Sequence, residues 1–266
     1  ANGSGFSIVQ NLHNLTNVPQ TVHYHVYGNA QGCQSSIIDV LVQVNPAVYL
    51  DSPPFQKSIC SGASTNVLLS ANVDNASFCW SASCNSSEVS GFADDCGNQI
   101  DQILINHDVV NHTVSYAVTP MAYGCSGVTQ NYQVTVKPLP DVTFNPQNLS
   151  VCSGDVTAIQ LSSPVNGASF SWTASYEAGI SGDFSGTTSF DAIIEDSLVN
   201  NNLSPANAFY SVTATAAGCQ GPAFEYPVLV NPRPVGSVNL TDQLICSGGT
   251  TTEVNFSADV PGTEYT

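Results

Sequence analysis

The sequence predicts an all-β protein, built as antiparallel β-sandwich domains in a linear array. Three observations predict it. A set of landmark residues recurs at steps of 92 and then 94, as at Cys60, Cys152 and Cys246. No segment sustains helical periodicity. Several segments alternate apolar and polar residues with period two and are rich in β-branched and aromatic side chains. Examples are Val40-Leu41-Val42-Gln43-Val44, Val114-Ser115-Tyr116-Ala117-Val118 and Tyr132-Gln133-Val134-Thr135-Val136.

The repeat sets the organisation. Ile59-Cys60-Ser61-Gly62 returns as Val151-Cys152-Ser153-Gly154 and as Ile245-Cys246-Ser247-Gly248. A second motif runs Gly32-Cys33, Gly124-Cys125-Ser126-Gly127 and Gly218-Cys219-Gln220-Gly221. The interval from second-motif Cys to the next first-motif Cys is identical in all three cases: Cys33 to Cys60, Cys125 to Cys152 and Cys219 to Cys246. Tyr24, Tyr116 and Tyr210 stand nine residues before the second-motif Cys, in Tyr-x-Val. Val44, Val136 and Val230 follow it by eleven, and Pro46, Pro138 and Pro232 by thirteen. Trp80 and Trp172 lie twenty after the first-motif Cys, in Ser-Phe-x-Trp-x-Ala-Ser. The chain therefore divides into the C-terminal half of one repeat (1–46), complete repeats at 47–138 and 139–232, and the N-terminal part of another (233–266). Short Pro-containing joints stiffen such a string.

Each repeat holds about seven short strands in roughly 92 residues, the pattern of an immunoglobulin-type sandwich. Trp80 and Trp172 belong in the core on the third strand, with Tyr24, Tyr116 and Tyr210 as core residues of a later one. Ile100–Ile105 and Phe190–Ile194 read equally as helix or strand. The first-motif Cys is placed at the start of the first strand and the second-motif Cys at the start of the last, at one pole. Disulfides Cys60–Cys125 and Cys152–Cys219 follow, with four buried thiols as the alternative. Each loop of 66–68 residues is worth roughly 4 kcal/mol in the chain-entropy model. Cys33 and Cys246 have no partner within their part-repeats. Of the three further cysteines, Cys84–Cys96 is the preferred pair, leaving Cys79.

Composition excludes several functions. Three basic residues, Lys57, Lys137 and Arg233, face 20 acidic ones, for a net charge of −17. Nucleic-acid binding depends on many Lys/Arg–phosphate contacts, so it is excluded as a partner class. Docking on anionic lipid and phosphate clamping fail for the same reason. No apolar run in the sequence is long enough for a transmembrane helix, so no membrane insertion is expected. The first residues carry no signal-peptide pattern, so a signal is expected to have been removed or to lie upstream. Only 9% of residues are charged and 42% are hydrophobic, a surface of Ser, Thr, Asn and Gln that suits an extracellular setting.

Chemistry-bearing constellations are scarce. No Gly-x-Ser-x-Gly, His-Glu-x-x-His or P-loop occurs, and no enzyme is expected. His23 and His25 share a strand face and lack a third metal ligand. His107 and His112 fall in a predicted loop. Asp94, Asp95 and Asp101 cluster in one insert, so a structural calcium is the single cofactor the sequence leaves room for. Otherwise no cofactor and no metal are expected. Asn-x-Ser/Thr sequons are frequent, among them those at Asn14, Asn75, Asn111, Asn148, Asn202 and Asn239.

The run Cys-Ser-Gly, Ser-Phe-x-Trp, Tyr-x-Val, Gly-Cys-x-Gly and Val-x-Pro resembles the PKD-like repeats of giant secreted Bacteroidota proteins. These include the gliding-motility adhesin and relatives exported by the type IX system. The resemblance covers the whole chain. It implies a non-catalytic stalk or filament segment at the bacterial cell surface, acting in adhesion or gliding. Its partners would be neighbouring repeats and surface glycans or substratum. Trp80-Ser81-Ala82-Ser83 and Trp172-Thr173-Ala174-Ser175 replace the acidic turn of ordinary PKD domains. Asp196-Ser197-Leu198 resembles a Bacteroidota O-glycosylation motif. Alternatives are a glycan-binding module with Phe92 and Tyr176 as its candidate exposed aromatics, although both read first as packing residues, a spacer in a secreted enzyme, and a filament subunit joined head to tail by strand exchange, setting Cys246 against Cys33.

Overall fold

The computed structural model describes residues 4–51, 53–184, 188–189 and 191–266. It divides into two units between Lys137 and Pro138. All regular elements among the described residues are strands, and no helix there is long and apolar enough to cross a membrane.

In the first complete repeat one sheet holds five strands side by side. Their order is Gln56–Cys60, Gln130–Lys137, His112–Ala122, Ser77–Cys84 and Asp95–Cys96. The first two run parallel and the other pairs antiparallel. Facing it are short pairs, Val67–Leu68 with Gln99–Ile100 and Val89–Ser90 with Ile105–Asn106. The second repeat repeats this plan. Its order is Leu149–Cys152, Cys219–Asn231, Ala206–Ala216, Ser169–Tyr176 and Thr188–Ser189. Opposite lie Thr143–Asn145, Ile159–Ser162 and Ile193–Ile194. The two stretches that read as helix or strand thus contribute short strands. Phe190 lies outside the described residues.

Period two explains the packing. On His112–Ala122, Val114, Tyr116 and Val118 face inward and are fully buried. Trp80 and Trp172 lie on the neighbouring strand, 5% and 2% exposed. Trp172 meets Phe184 and Tyr210 edge-on at centroid distances of 5.1 and 5.8 Å, the favoured aromatic geometry. Each repeat owns a separate core. Residues 1–46 contribute Gln20–Val26 paired with Ile38–Val44. Tyr24 is only half-buried there, since among the described residues no second sheet covers that pair. Residues 233–266 contribute Gly236–Val238 paired with Phe256–Ala258.

Strand direction overturns the expected disulfides. Cys60 ends its strand, in register with Lys137, whereas Cys125 follows a hairpin turn opposite Ala122. His112 pairs with Val136, so the length of the His112–Ala122 strand separates the two cysteines. Ten residue steps at 3.3 Å are about 33 Å, far beyond the 4.4–6.8 Å Cα separation of a disulfide. Cys152, beside Asn231, and Cys219, beside Ala216, are separated in the same way. Cys125 and Cys152 are exposed free thiols, while Cys60 and Cys219 are each disulfide-bonded. Cys33 and Cys246 are also free and exposed.

The insert pairs differently too. Cys79 and Cys96 oppose each other across adjacent strands and are bonded, with Cα atoms 4.0 Å apart. Cys84 lies five residues further along, in register with Val114 of the other neighbouring strand, and is a free thiol. Five steps along a strand, about 17 Å, put it out of reach of Cys96.

Candidate functional site

The two cysteine motifs build the two poles of a repeat. At the trailing pole, Ala63 N–H donates to Cys60 O (3.1 Å), closing a four-residue turn. Gly62 sits at its third position with φ +83°, which disfavours any side chain. Ser61 N–H donates to Lys137 O and Gly62 N–H to Leu104 O, both at 2.8 Å. Asn106 N–H donates to Ser61 Oγ (2.9 Å), and Asn106 Nδ2 donates to Val136 O (3.0 Å) and Val110 O (2.7 Å). The second repeat copies this with Ser153, Gly154 and Asn200, whose Nδ2 donates to Val230 O at 2.7 Å. There Arg233 adds Nε to Ser153 O and Nη2 to Asp155 Oδ1, both at 2.9 Å. Lys57 instead donates to Thr65 O (2.7 Å) within its own repeat.

At the leading pole, Tyr123 and Gly124 both take positive φ, as do Ala217 and Gly218. This is the two-residue hairpin whose twist matches its strands and which favours glycine. It places Cys125 or Cys219 directly after the turn. Two residues on, Gly127 and Gly221 allow close backbone approach. A Cβ there would lie 2.2 Å from Val48 O and 1.8 Å from Pro140 O respectively. The hairpin is thus held against the first residues of its own repeat. In the first unit, Asn45 Nδ2 donates to Tyr123 O at 2.8 Å and lies 3.8 Å from Cys125 Sγ.

Between the poles, each core holds one polar knot. Thr65 and Thr157 are fully buried or nearly so. Thr65 Oγ1 donates to Ile100 O (2.8 Å) and accepts from Gln102 N–H (2.9 Å), and Thr157 does the same with Ile194 O and Asp196 N–H, both at 2.9 Å. In the first repeat Tyr116 Oη donates to Gln102 Oε1 (2.9 Å). In the second, Asp196 takes the place of Gln102. It accepts from Tyr210 Oη (2.8 Å), Tyr176 Oη (2.5 Å) and Asp183 N–H (2.7 Å). These partners replace the water that burial removes from the polar atoms. Burial pushes the Tyr116 hydroxyl up to about 12. Burial, then the hydrogen bond and charge of Asp196, push Tyr210 and Tyr176 well above the ordinary tyrosine range. Sequence reading missed Thr65, Gln102, Asn106 and their counterparts. The signal was present, because Thr65 and Asn106 recur in register as Thr157 and Asn200, with Asp196 at the position of Gln102.

The other predicted residues are spread out. Asp94 accepts from Ala82 N–H (2.7 Å), Asp95 from Cys96 N–H (2.8 Å), and Asp101 from the Ser64 hydroxyl. His25 pairs with Asp39, and its ring lies 6.5 Å from that of His23. His112 opens a strand, contrary to the predicted loop, and shares a 2.8 Å hydrogen bond with Asp108. That bond, then Val109 N–H, holds the Asp108 carboxyl below the usual range. His107 Nε2 lies 3.3 Å from Ser90 Oγ. Among the described residues no three His, Cys, Asp or Glu side chains converge as a metal site. Phe92 packs on the first core and Tyr176 on the second, so neither is the exposed aromatic of the binding-module alternative. Asp196 and Leu198 are fully buried, which removes the flanks of the resembled glycosylation motif from the surface.

Comparison with curated proteins finds no match. Among solved structures, the chain is similar to the human desmocollin-1 ectodomain (TM-score 0.36, 9% identity, covering 79% of this chain and 48% of that one). It is similar to the protocadherin gammaB4 extracellular domain (0.34, 12%, 95% and 49%) and to a titin I67–I69 variant (0.32, 9%, 71% and 67%). The chain spans about half the length of those two ectodomain chains. The family model of the PKD-like domain matches residues 57–140 and 149–234. With both matches coinciding with complete, separately cored sandwiches, the chain belongs to the PKD-like domain family.

Proposed function

We propose that the chain is a non-catalytic shaft segment of a large secreted adhesin at a bacterial cell surface, of the gliding-motility type. The observation that carries this is the series of separately cored PKD-like repeats joined by three-residue Pro-containing joints. Such a series transmits load and spacing along the chain, since each domain keeps its own core. The Cys79–Cys96 disulfide fits an oxidising compartment, where such bonds persist. The acidic, hydroxyl-rich surface keeps a long array soluble. The neighbouring repeats are the chain's nearest partners, and surface glycan or substratum is what the full adhesin would meet.

The test is the native polypeptide on a reducing denaturing gel, with surface labelling of intact cells. A mass far above that of these 266 residues, together with surface accessibility, is expected. A native mass no greater than theirs, or a protein confined to the cytoplasm, sinks the reading.

A further inference from the structure

We propose that His23 and His25, with Asp39 orienting the second ring, form a surface site for a divalent transition-metal ion of the zinc, nickel and copper class. Four observations lead there, all within the paired strands Gln20–Val26 and Ile38–Val44.

The first is placement. Side chains alternate between the faces of a strand, so His23 and His25 share one face while Val22, Tyr24 and Val26 share the other. His25 stands directly opposite Asp39, and His23 opposite Leu41. The corresponding places hold Ser115, Ala117 and Asn131 in the first complete repeat, and Phe209, Ser211 and Glu225 in the second. Two imidazoles and a carboxylate therefore gather on this face in residues 1–46 and in neither complete repeat. Asp39 is also the single acid of residues 1–46, which contain no Lys or Arg.

The second is the hydrogen-bond pattern. His25 Nδ1 contacts Asp39 Oδ1. An ionised carboxylate can only accept, so Nδ1 carries the proton and Nε2 of the neutral ring keeps its lone pair. A carboxylate placed in this way fixes the tautomer of a metal-binding imidazole and raises its basicity.

The third is distance. The His23 and His25 ring centroids lie 6.5 Å apart, with their planes 37° from parallel. Two imidazole nitrogens each about 2 Å from one ion set their ring centroids roughly 5–6 Å apart. Among the described residues His23 has no hydrogen-bond partner, and it is exposed. Rotation about its side-chain bonds closes the difference. Two ring nitrogens, rather than three side chains, hold the ion, and water fills its other positions.

The fourth is the match of ligand to ion. Imidazole nitrogen suits Zn²⁺, Ni²⁺ and Cu²⁺, whereas Ca²⁺ and Mg²⁺ require several oxygens. The net charge of −17 favours cations around the whole chain. The rings lie on one strand and the orienting carboxylate on its neighbour, so a bound ion stabilises the paired strands by mass action.

The test is NMR of the histidine ring nitrogens in the whole chain, in mildly alkaline buffer, titrated with Zn²⁺ alone. The exposed free thiols Cys33, Cys125, Cys152 and Cys246 are alkylated first, since thiolate also binds zinc. Saturable, joint shifts of His23 and His25 are expected, with His13, His107 and His112 unmoved and with no response to Mg²⁺. Before zinc is added, the His25 nitrogens should report the Nδ1–H ring. Asp39→Asn should return that ring towards the ordinary tautomer mixture and weaken zinc binding about ten-fold, the lower end of what an orienting partner contributes. Unchanged hydrogen exchange in Gln20–Val26 would show that the strands stay paired in that variant. His23→Ala and His25→Ala should each weaken zinc binding more than Asp39→Asn does. No saturable shift, equal shifts at all five histidines, or zinc affinity unchanged in His23→Ala overturns the proposal. So does a His25 tautomer or a zinc affinity that Asp39→Asn leaves unmoved. None of these outcomes depends on where the protein resides, so this inference and the shaft reading fail separately.

Discussion

Replacing Tyr210 by Phe removes one hydroxyl from the second core and leaves its ring packing in place. The hydroxyl is fully buried and donates to Asp196 Oδ2 at 2.8 Å. A hydrogen bond to a charged acceptor is worth about 1.5–3 kcal/mol. Asp196 keeps the Tyr176 hydroxyl and Asp183 N–H, so the acceptor is not orphaned and the middle of that range, about 2 kcal/mol, applies. The first repeat supplies the control. There Tyr116 donates to the neutral amide oxygen of Gln102 at 2.9 Å, and Tyr116→Phe should cost only about 1 kcal/mol. Hydrogen exchange read by mass spectrometry resolves the two repeats in the intact chain. Exchange of the slowest amides tracks local unfolding free energy. A change of about 1.4 kcal/mol is a factor of ten in such an equilibrium. Tyr210→Phe should accelerate exchange in Ala206–Ala216 about 30-fold, with His112–Ala122 unchanged. Tyr116→Phe should accelerate His112–Ala122 about five-fold. Equal effects of the two substitutions, or an acceleration below about three-fold for Tyr210→Phe, would refute the assignment of a charge-assisted bond.

Alkaline pH should loosen the cores. The folded Tyr116 hydroxyl titrates at about 12, above its ordinary 10, so the unfolded chain loses that proton first. Its stabilising effect is complete below pH 10 and is lost as pH rises towards 12; a denaturant series should show midpoints falling over that window and flat from 7 to 9. Gly127→Ala places a Cβ 2.2 Å from Val48 O, a backbone atom with no rotamer to yield. A loss of about 1–3 kcal/mol is expected, seen as faster exchange in the Tyr123–Gly124 hairpin, and wild-type protection would contradict the close approach. Replacing Cys79 and Cys96 together by Ala opens a loop of 17 residues' separation, at about 3 kcal/mol in the chain-entropy model. The midpoint of the first repeat should fall while that of the second holds. In His112→Ala, the Asp108 carboxyl should return upward towards the ordinary range, followed by NMR titration; an unmoved value would exclude the hydrogen bond as the first cause of its shift.

The repeat register was legible because it is a property of the chain alone. Spacing located the two motifs, the Trp80 and Trp172 strands, the Tyr116 and Tyr210 strands and the joints, since period two and turn residues act locally. Gly124 and Gly218 could be read as turn residues, and their positive φ angles follow from that chemistry. The Thr65, Gln102 and Asn106 networks were in principle legible as further positions keeping the same register. Their polar character disguised them as surface.

What tertiary structure alone decided is which of these landmarks meet. The spacing of Cys60 and Cys125 along the chain is the same whether the two strands run parallel or antiparallel. Only the parallel pairing of Gln56–Cys60 with Gln130–Lys137 sends Cys60 to one pole and Cys125 to the other. Cys79 finds Cys96 because the Asp95–Cys96 edge strand pairs at that register and not five residues further on. Sequence determined the elements and their order, which depend on neighbours along the chain. Direction and register across the sheet depend on which faces bury together, a choice made between residues far apart in sequence.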